Sequence, residues 1–157
     1  MKKTIVLFAL IVTSTCLSQN TPFKNMTEAK NGFIGIGTTT PDAMLTVKGA
    51  IHTQEVLVDL DGAVAPDYVF EKYYNGFSAL KNDYTFLSLS EIEDYIKKNH
   101  HLPKIPSAAC MENNGVSLKE MNLLLLEKIE ELTLHTIEQQ KQIDLLNSRL
   151  KNLESNN

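Results

Sequence analysis

The 157-residue sequence predicts an elongated α+β chain: short β-strands in an intertwined stem, a small helical linker region and a long C-terminal coiled-coil helix. Three observations predict this class. Residues 32–60 hold brief alternating runs punctuated by glycine, too short to close a core alone. Residues 117–157 contain neither Gly nor Pro. Within that stretch apolar side chains recur every seven residues, the mark of a helix that buries one seam against other helices.

The first element is a leader. Met1–Lys3 is positively charged and Ile5–Val12 is apolar, and Cys16-Leu17-Ser18 supplies small residues for cleavage before Gln19, so residues 1–18 predict a secretory signal peptide. Its apolar run is shorter than the roughly 20 residues a membrane span needs, and no later segment approaches that length. Cys16 also admits an alternative as a lipid anchor. Cleavage leaves Cys110 as the single cysteine, so no intrachain disulfide is available. It also leaves 13 Lys+Arg against 19 Asp+Glu, a formal charge of −6. That acidity excludes an electrostatic grip on nucleic acid.

Residues 19–31 are polar and aperiodic and predict a linker. Residues 32–70 predict the β stem segment. Gly32–Gly37 is a glycine-spaced run, Thr38–Asp42 a turn, Met44–Gly49 a second run, Ile51–Leu60 a third, and Tyr68-Val69-Phe70 a last short apolar run. Residues 71–115 predict a loop and short helices. Lys72–Phe86 is an aromatic-rich loop, and Ser88-Leu89-Ser90-Glu91 is a capping box that opens a helix ending at Asn99. His100–Pro106 is then extended through its prolines, and Ser107–Asn113 forms a short helix stopped at Gly115.

Residues 116–154 predict the coiled-coil helix, capped by Ser117 and Glu120. Leu118, Leu125, Leu132, Gln139, Leu146 and Leu153 occupy one heptad series (d). Asn122, Ile129, Thr136, Ile143 and Leu150 occupy the other (a). Eight of these eleven sites are apolar. Side-chain shape fits two or three strands; the glycine-punctuated upstream strands favour three, and β modules at one end require them parallel. Thr136 and Gln139 place polar layers in mid-seam, as register markers or as a loosely packed stretch.

Gly35-Ile36-Gly37-Thr38-Thr39-Thr40-Pro41, continuing through Leu45-Thr46-Val47-Lys48-Gly49, resembles the strand repeat of phage tail-fibre and tail-spike stems. Residues 89–134, with EIEDYIKKNHHLPKIPSA leading into NNGVSLKEMNLLLLEKIEELTL, are similar to the C-terminal region of tail-fibre-like exported proteins of Bacteroidetes. The resemblance implies a homotrimer with a β stem and a terminal helical bundle, working as a structural protein. The related endosialidase-type chaperone domains cleave themselves with an S-D-x-R-L-K motif. Ser78-Ala79-Leu80-Lys81 lacks its Asp and Arg and reads as a solvated loop pair.

Other candidate chemistry is sparse. Adjacent extended His100 and His101 point apart and cannot share one metal without a bend, though trimer symmetry would bring three copies of one His to an axis. Gly35-Ile36-Gly37 lacks the third Gly of a nucleotide fingerprint. Asp59 and Asp61 read as turn acids, and the aromatics Tyr68, Phe70, Tyr73, Tyr74, Phe77 and Tyr84 as a satellite core or a sugar-stacking surface. No catalytic residue, metal ligand or cofactor is predicted. The expected partner is the chain itself, as a parallel homotrimer, with a cell-surface or envelope component as a further partner. An autoproteolytic chaperone-like module and a glycan-binding adhesin are the alternatives.

Overall fold

A computed structural model describes residues 25–30 and 32–155. The predicted signal peptide, the lipid-anchor candidate Cys16 and most of the 19–31 linker lie outside the described residues. The described residues form a mixed α+β protein divided into two compact units, one up to Val56 and one from Leu57 onward.

The first unit carries a three-stranded sheet in the order β1 (Met26–Glu28), β2 (Ile34–Ile36), β3 (Leu45–Val47). β1 pairs antiparallel with β2, with Met26 opposite Ile36; β2 pairs parallel with β3, with Ile34 opposite Leu45. Two glycines make the close approaches possible. A Cβ on Gly35 would stand 2.4 Å from the Thr38 carbonyl oxygen, and Gly37 holds φ +72° with the Lys48 carbonyl oxygen 2.9 Å from where a Cβ would sit. Thr46 ties the turn before β3: its hydroxyl donates to Asp42 Oδ1 at 2.8 Å and accepts from the Asp42 and Ala43 amides at 3.1 Å. That bond holds the Asp42 carboxyl below its ordinary range.

Two strand expectations are corrected here. β1 lies inside the stretch predicted as linker, because its backbone pairing with β2 needs no apolar pattern of its own. Ile51–Leu60 forms no strand and is exposed along its whole length. Its alternating pattern finds no strand to pair with among the described residues.

The second unit is helical: α1 (Tyr68–Asn75), α2 (Leu89–Asn99), α3 (Ala108–Asn114) and α4 (Leu118–Ser155). α1 replaces the short apolar run Tyr68–Phe70 expected to close the β stem segment, and takes the first residues of the predicted aromatic loop. Gly76 in the left-handed region ends it, returning its amide to Lys72 O. α2 opens with the full capping box: Ser88 Oγ accepts from the Glu91 amide, and Glu91 accepts from the Ser88 amide. Its cap residue His100 is left-handed, with φ 61°. The expected extended segment after it is instead a turn, with Lys104 also left-handed at φ 67° and the Ile105 amide donating to Leu102 O. Lys104 gains an ion pair by this bend, described below. α3 is capped by Ser107 and ends at Gly115, and Ser117 Oγ accepts from the Glu120 amide at the start of α4.

The core of this unit is small. Tyr68, Val69, Tyr84 and Leu134 are buried, with Tyr73 and Phe86 packed around them. It lies between α1, the 77–87 loop and the middle of α4. Over the rest of its 38 residues, about 57 Å at 1.5 Å per residue, α4 has little of its own chain to lean on.

Candidate assembly seam and the charge cluster behind it

α4 presents two faces of opposite character. Along the a/d seam all eleven predicted residues are exposed, and the eight apolar ones range from 45% exposed at Leu125 to 64% at Leu153. The residues the helix buries are Glu127, Glu130, Glu131, Leu134 and His135. In the heptad frame these are positions f, b, c, f and g, the back of the helix. One chain therefore covers the charged side of α4 and leaves the aliphatic side bare.

Hydrogen bonds explain the inversion. Glu127 is 1% exposed, yet both of its carboxylate oxygens are filled. Tyr68 donates its hydroxyl to Oε2 at 2.5 Å, while Lys104 and Lys128 donate to Oε1 at 2.7 and 3.0 Å. Lys128 also reaches Glu131 Oε2 at 2.7 Å, and Tyr84 donates to Glu131 Oε1 at 2.9 Å. The Tyr68 and Tyr84 rings meet at 5.0 Å, with Lys81 and Lys104 over their faces at 4.9 and 4.7 Å. Burial alone would raise the Glu127 carboxyl; the bonds from Lys104, Tyr68 and Lys128 outweigh it and hold the group at about 2. Burial and the adjacent carboxylates push both phenols far above their usual range.

Two buried atoms in this cluster stand apart. Glu130 Oε2 and His135 Nε2 have no hydrogen-bond partner. Burial, with Asp67 and Glu127 nearby, raises the Glu130 carboxyl. His135 stacks on Phe86 with ring centres 4.6 Å apart.

The remaining candidates carry no assembled chemistry. His101 Nδ1 lies 3.0 Å from Leu102 O and its ring meets the edge of Tyr95, while His100 is the α2 cap. Among the described residues no group of three or more His, Cys, Asp or Glu side chains is placed to hold a metal ion. Cys110 is exposed beside Asn114, and Asp59 and Asp61 are exposed. Ser78 and Lys81 are not the solvated pair expected. Ser78 is buried, donates to Glu71 Oε2 at 2.6 Å and accepts from the Leu80 and Lys81 amides, a staple for the loop after α1. Tyr68, Tyr73 and Tyr84 belong to the core cluster, and Tyr74 and Phe77 are exposed.

The acids Glu127, Glu130 and Glu131 escape sequence reasoning because heptad counting assigns charged f, b and c positions to solvent. The available signal was the pairing of an acid-rich helix back with an upstream tyrosine cluster. No helix among the described residues is long and apolar enough to cross a membrane. Comparison with family models, with curated proteins and with solved structures finds no match to this chain.

Proposed function

We propose that the chain is an exported, non-enzymatic structural protein that assembles as a parallel homotrimer through the a/d seam of α4. In this reading three β-bearing segments gather around one axis into an elongated, intertwined stem like those of tail fibres, working at the cell surface or envelope. The observation that carries it is the bare aliphatic seam opposite a helix back that its own chain buries from Glu127 to His135.

Magnitudes put association close to balance. Burying a half-exposed Leu or Ile is worth about 1 kcal/mol, so eight seam sites offer roughly 6–12 kcal/mol per chain. That range overlaps the roughly 4–15 kcal/mol lost in bringing chains together. Assembly therefore depends on the whole seam, and two charges at its centre suffice to prevent it. Light scattering on residues 19–157 should give three times the chain mass, and Ile129→Asp with Leu132→Asp should give the single-chain mass. A parent protein that stays single at micromolar concentration overturns the proposal.

A further inference from the structure

An apolar groove of about 200 Å³ runs beside the seam, lined by Leu89 and Ile92 of α2, Leu102, and Lys128, Glu131, Leu132 and His135 of α4. Its α4 wall lies on the d, g and c positions, so α2 flanks the seam on its g side. Leu89 and Leu102 are partly exposed there. On the other flank of the seam, α4 carries apolar side chains that an a/d pattern does not require: Leu126 at e and Ile137 at b are also exposed. Thr133, the e residue between them, donates its hydroxyl back to Ile129 O at 2.7 Å, which leaves its methyl outermost. The apolar surface of one chain is thus wider than a coiled-coil seam, and it widens to both sides at one level of the helix.

We infer that the α2–α4 groove is filled by a second copy of this chain, whose Thr133 and Ile137 pack against Leu89 and Ile92. This rests on the proposed parallel trimer, and that geometry names the occupant. In a parallel in-register coil the g position of one helix faces the e position five residues further along its neighbour, so Lys128 faces the neighbour's Thr133. Helices pack about 8–10 Å apart. A helix flanking position g therefore stands in the notch between its own α4 and the neighbour's, against that neighbour's e and b rows. Leu126 at e and Ile137 at b are the exposed apolar members of those rows, whereas Leu123 at b is half-buried and Glu130 at b is already covered by its own chain. Continuity is direct as well, because Leu132 is both a seam residue and a wall of the groove. α2 accordingly becomes part of the interface, and each contact between copies is one helix from one chain against two from the next.

Disulfide trapping in a Cys110→Ser background separates this inference from the seam it rests on. Ile92→Cys combined with Thr133→Cys should form covalent links between copies on mild oxidation, and either change alone should not. Leu146→Cys, at a distal d layer, reports the seam itself. Links through Leu146→Cys without links through the Ile92→Cys, Thr133→Cys pair overturn the groove assignment and leave the trimer standing. Absence of both overturns the trimer reading and the groove with it. As a second readout, Leu89→Ser with Ile92→Ser should raise the concentration at half-assembly by about tenfold or more while the product keeps the parent's assembled mass. An unchanged midpoint would also overturn the inference.

Discussion

Tyr68, the first residue of α1, donates its hydroxyl to the carboxylate of Glu127, 59 residues further along the chain in the middle of α4. This bond and the two lysine contacts on the same carboxylate dock α1 and the 100–106 turn onto the back of the long helix. Glu127→Ala takes the acceptor from the buried Tyr68 hydroxyl and the carboxylate from Lys104, and leaves Lys128 with Glu131 alone, so it should cost about 3–5 kcal/mol. Tyr68→Phe removes one donor and should cost about 1–3 kcal/mol. Urea denaturation at matched protein concentration checks both. Equal losses would mean that the phenol bond alone, and not the two lysine contacts, carries the contribution of the carboxylate.

Acid sensitivity follows from the same carboxylate. Glu127 is held at about 2 against an ordinary 4.5, so its folded form binds protons more weakly than its unfolded form. Its contribution is complete above the unfolded value and is lost as pH falls from about 4.5 to about 2, amounting to about 3 kcal/mol. The stability gap between the parent and Glu127→Gln should therefore narrow over that window. A gap constant from pH 7 to pH 2 would remove Glu127 as the titrating group.

Glu130 should behave with the opposite sign. Its carboxyl is raised by burial and by neighbouring acids, and one oxygen has no partner. The charged form is a burden that protonation relieves as pH falls through the raised value. Glu130→Met should stabilise the protein by about 1–2 kcal/mol at pH 7, and the gain should shrink in acid. A destabilised Glu130→Met protein at pH 7 would show that the carboxylate is satisfied in solution.

Periodicity made α4 legible from sequence, and side-chain chemistry did the same for the Ser88–Glu91 capping box, for the Ser117 hydroxyl cap and for α3. Each is a local property: seven-residue spacing, Ser88 three residues from Glu91, Ser107 before a short run closed by Gly115. What escaped was non-local. Tyr68-Val69-Phe70 reads equally as strand or helix at three residues, and it becomes helix because Tyr68 and Val69 reach one face of α4. β1 has no apolar alternation and exists through its ladder to β2. Lys104 takes a left-handed backbone that proline neighbours argue against, since the turn delivers its ammonium to Glu127. The heptad frame named the exposed face of the long helix but gave no hint that its charged back is the buried one.

Within the β unit, Gly35 and Gly37 mark different constraints. Gly35→Ala drives a methyl into backbone at 2.4 Å, which a side-chain rotation cannot relieve. Gly37→Ala meets both a positive φ and the Lys48 carbonyl. Each should cost about 1–3 kcal/mol locally, read as faster hydrogen exchange at the amides of Ile34 and Lys48, which donate to Met44 O and Ile36 O. Gly49→Ala, with open space around it, is the control that should leave those amides protected.

The two polar layers of the proposed seam should not be equivalent. Thr136 donates its hydroxyl to Leu132 O within its own helix at 2.8 Å, so the seam meets mostly its methyl group. Gln139 carries a long amide into the next layer, where every copy must keep it hydrated or find it a partner. Gln139→Leu should therefore lower the half-assembly concentration by about tenfold, and Thr136→Val should move it by less than about twofold. Sedimentation across a dilution series reads both. If Thr136→Val strengthens assembly as much as Gln139→Leu does, the threonine hydroxyl faces the seam in the assembled protein and the Leu132 carbonyl is not its partner there.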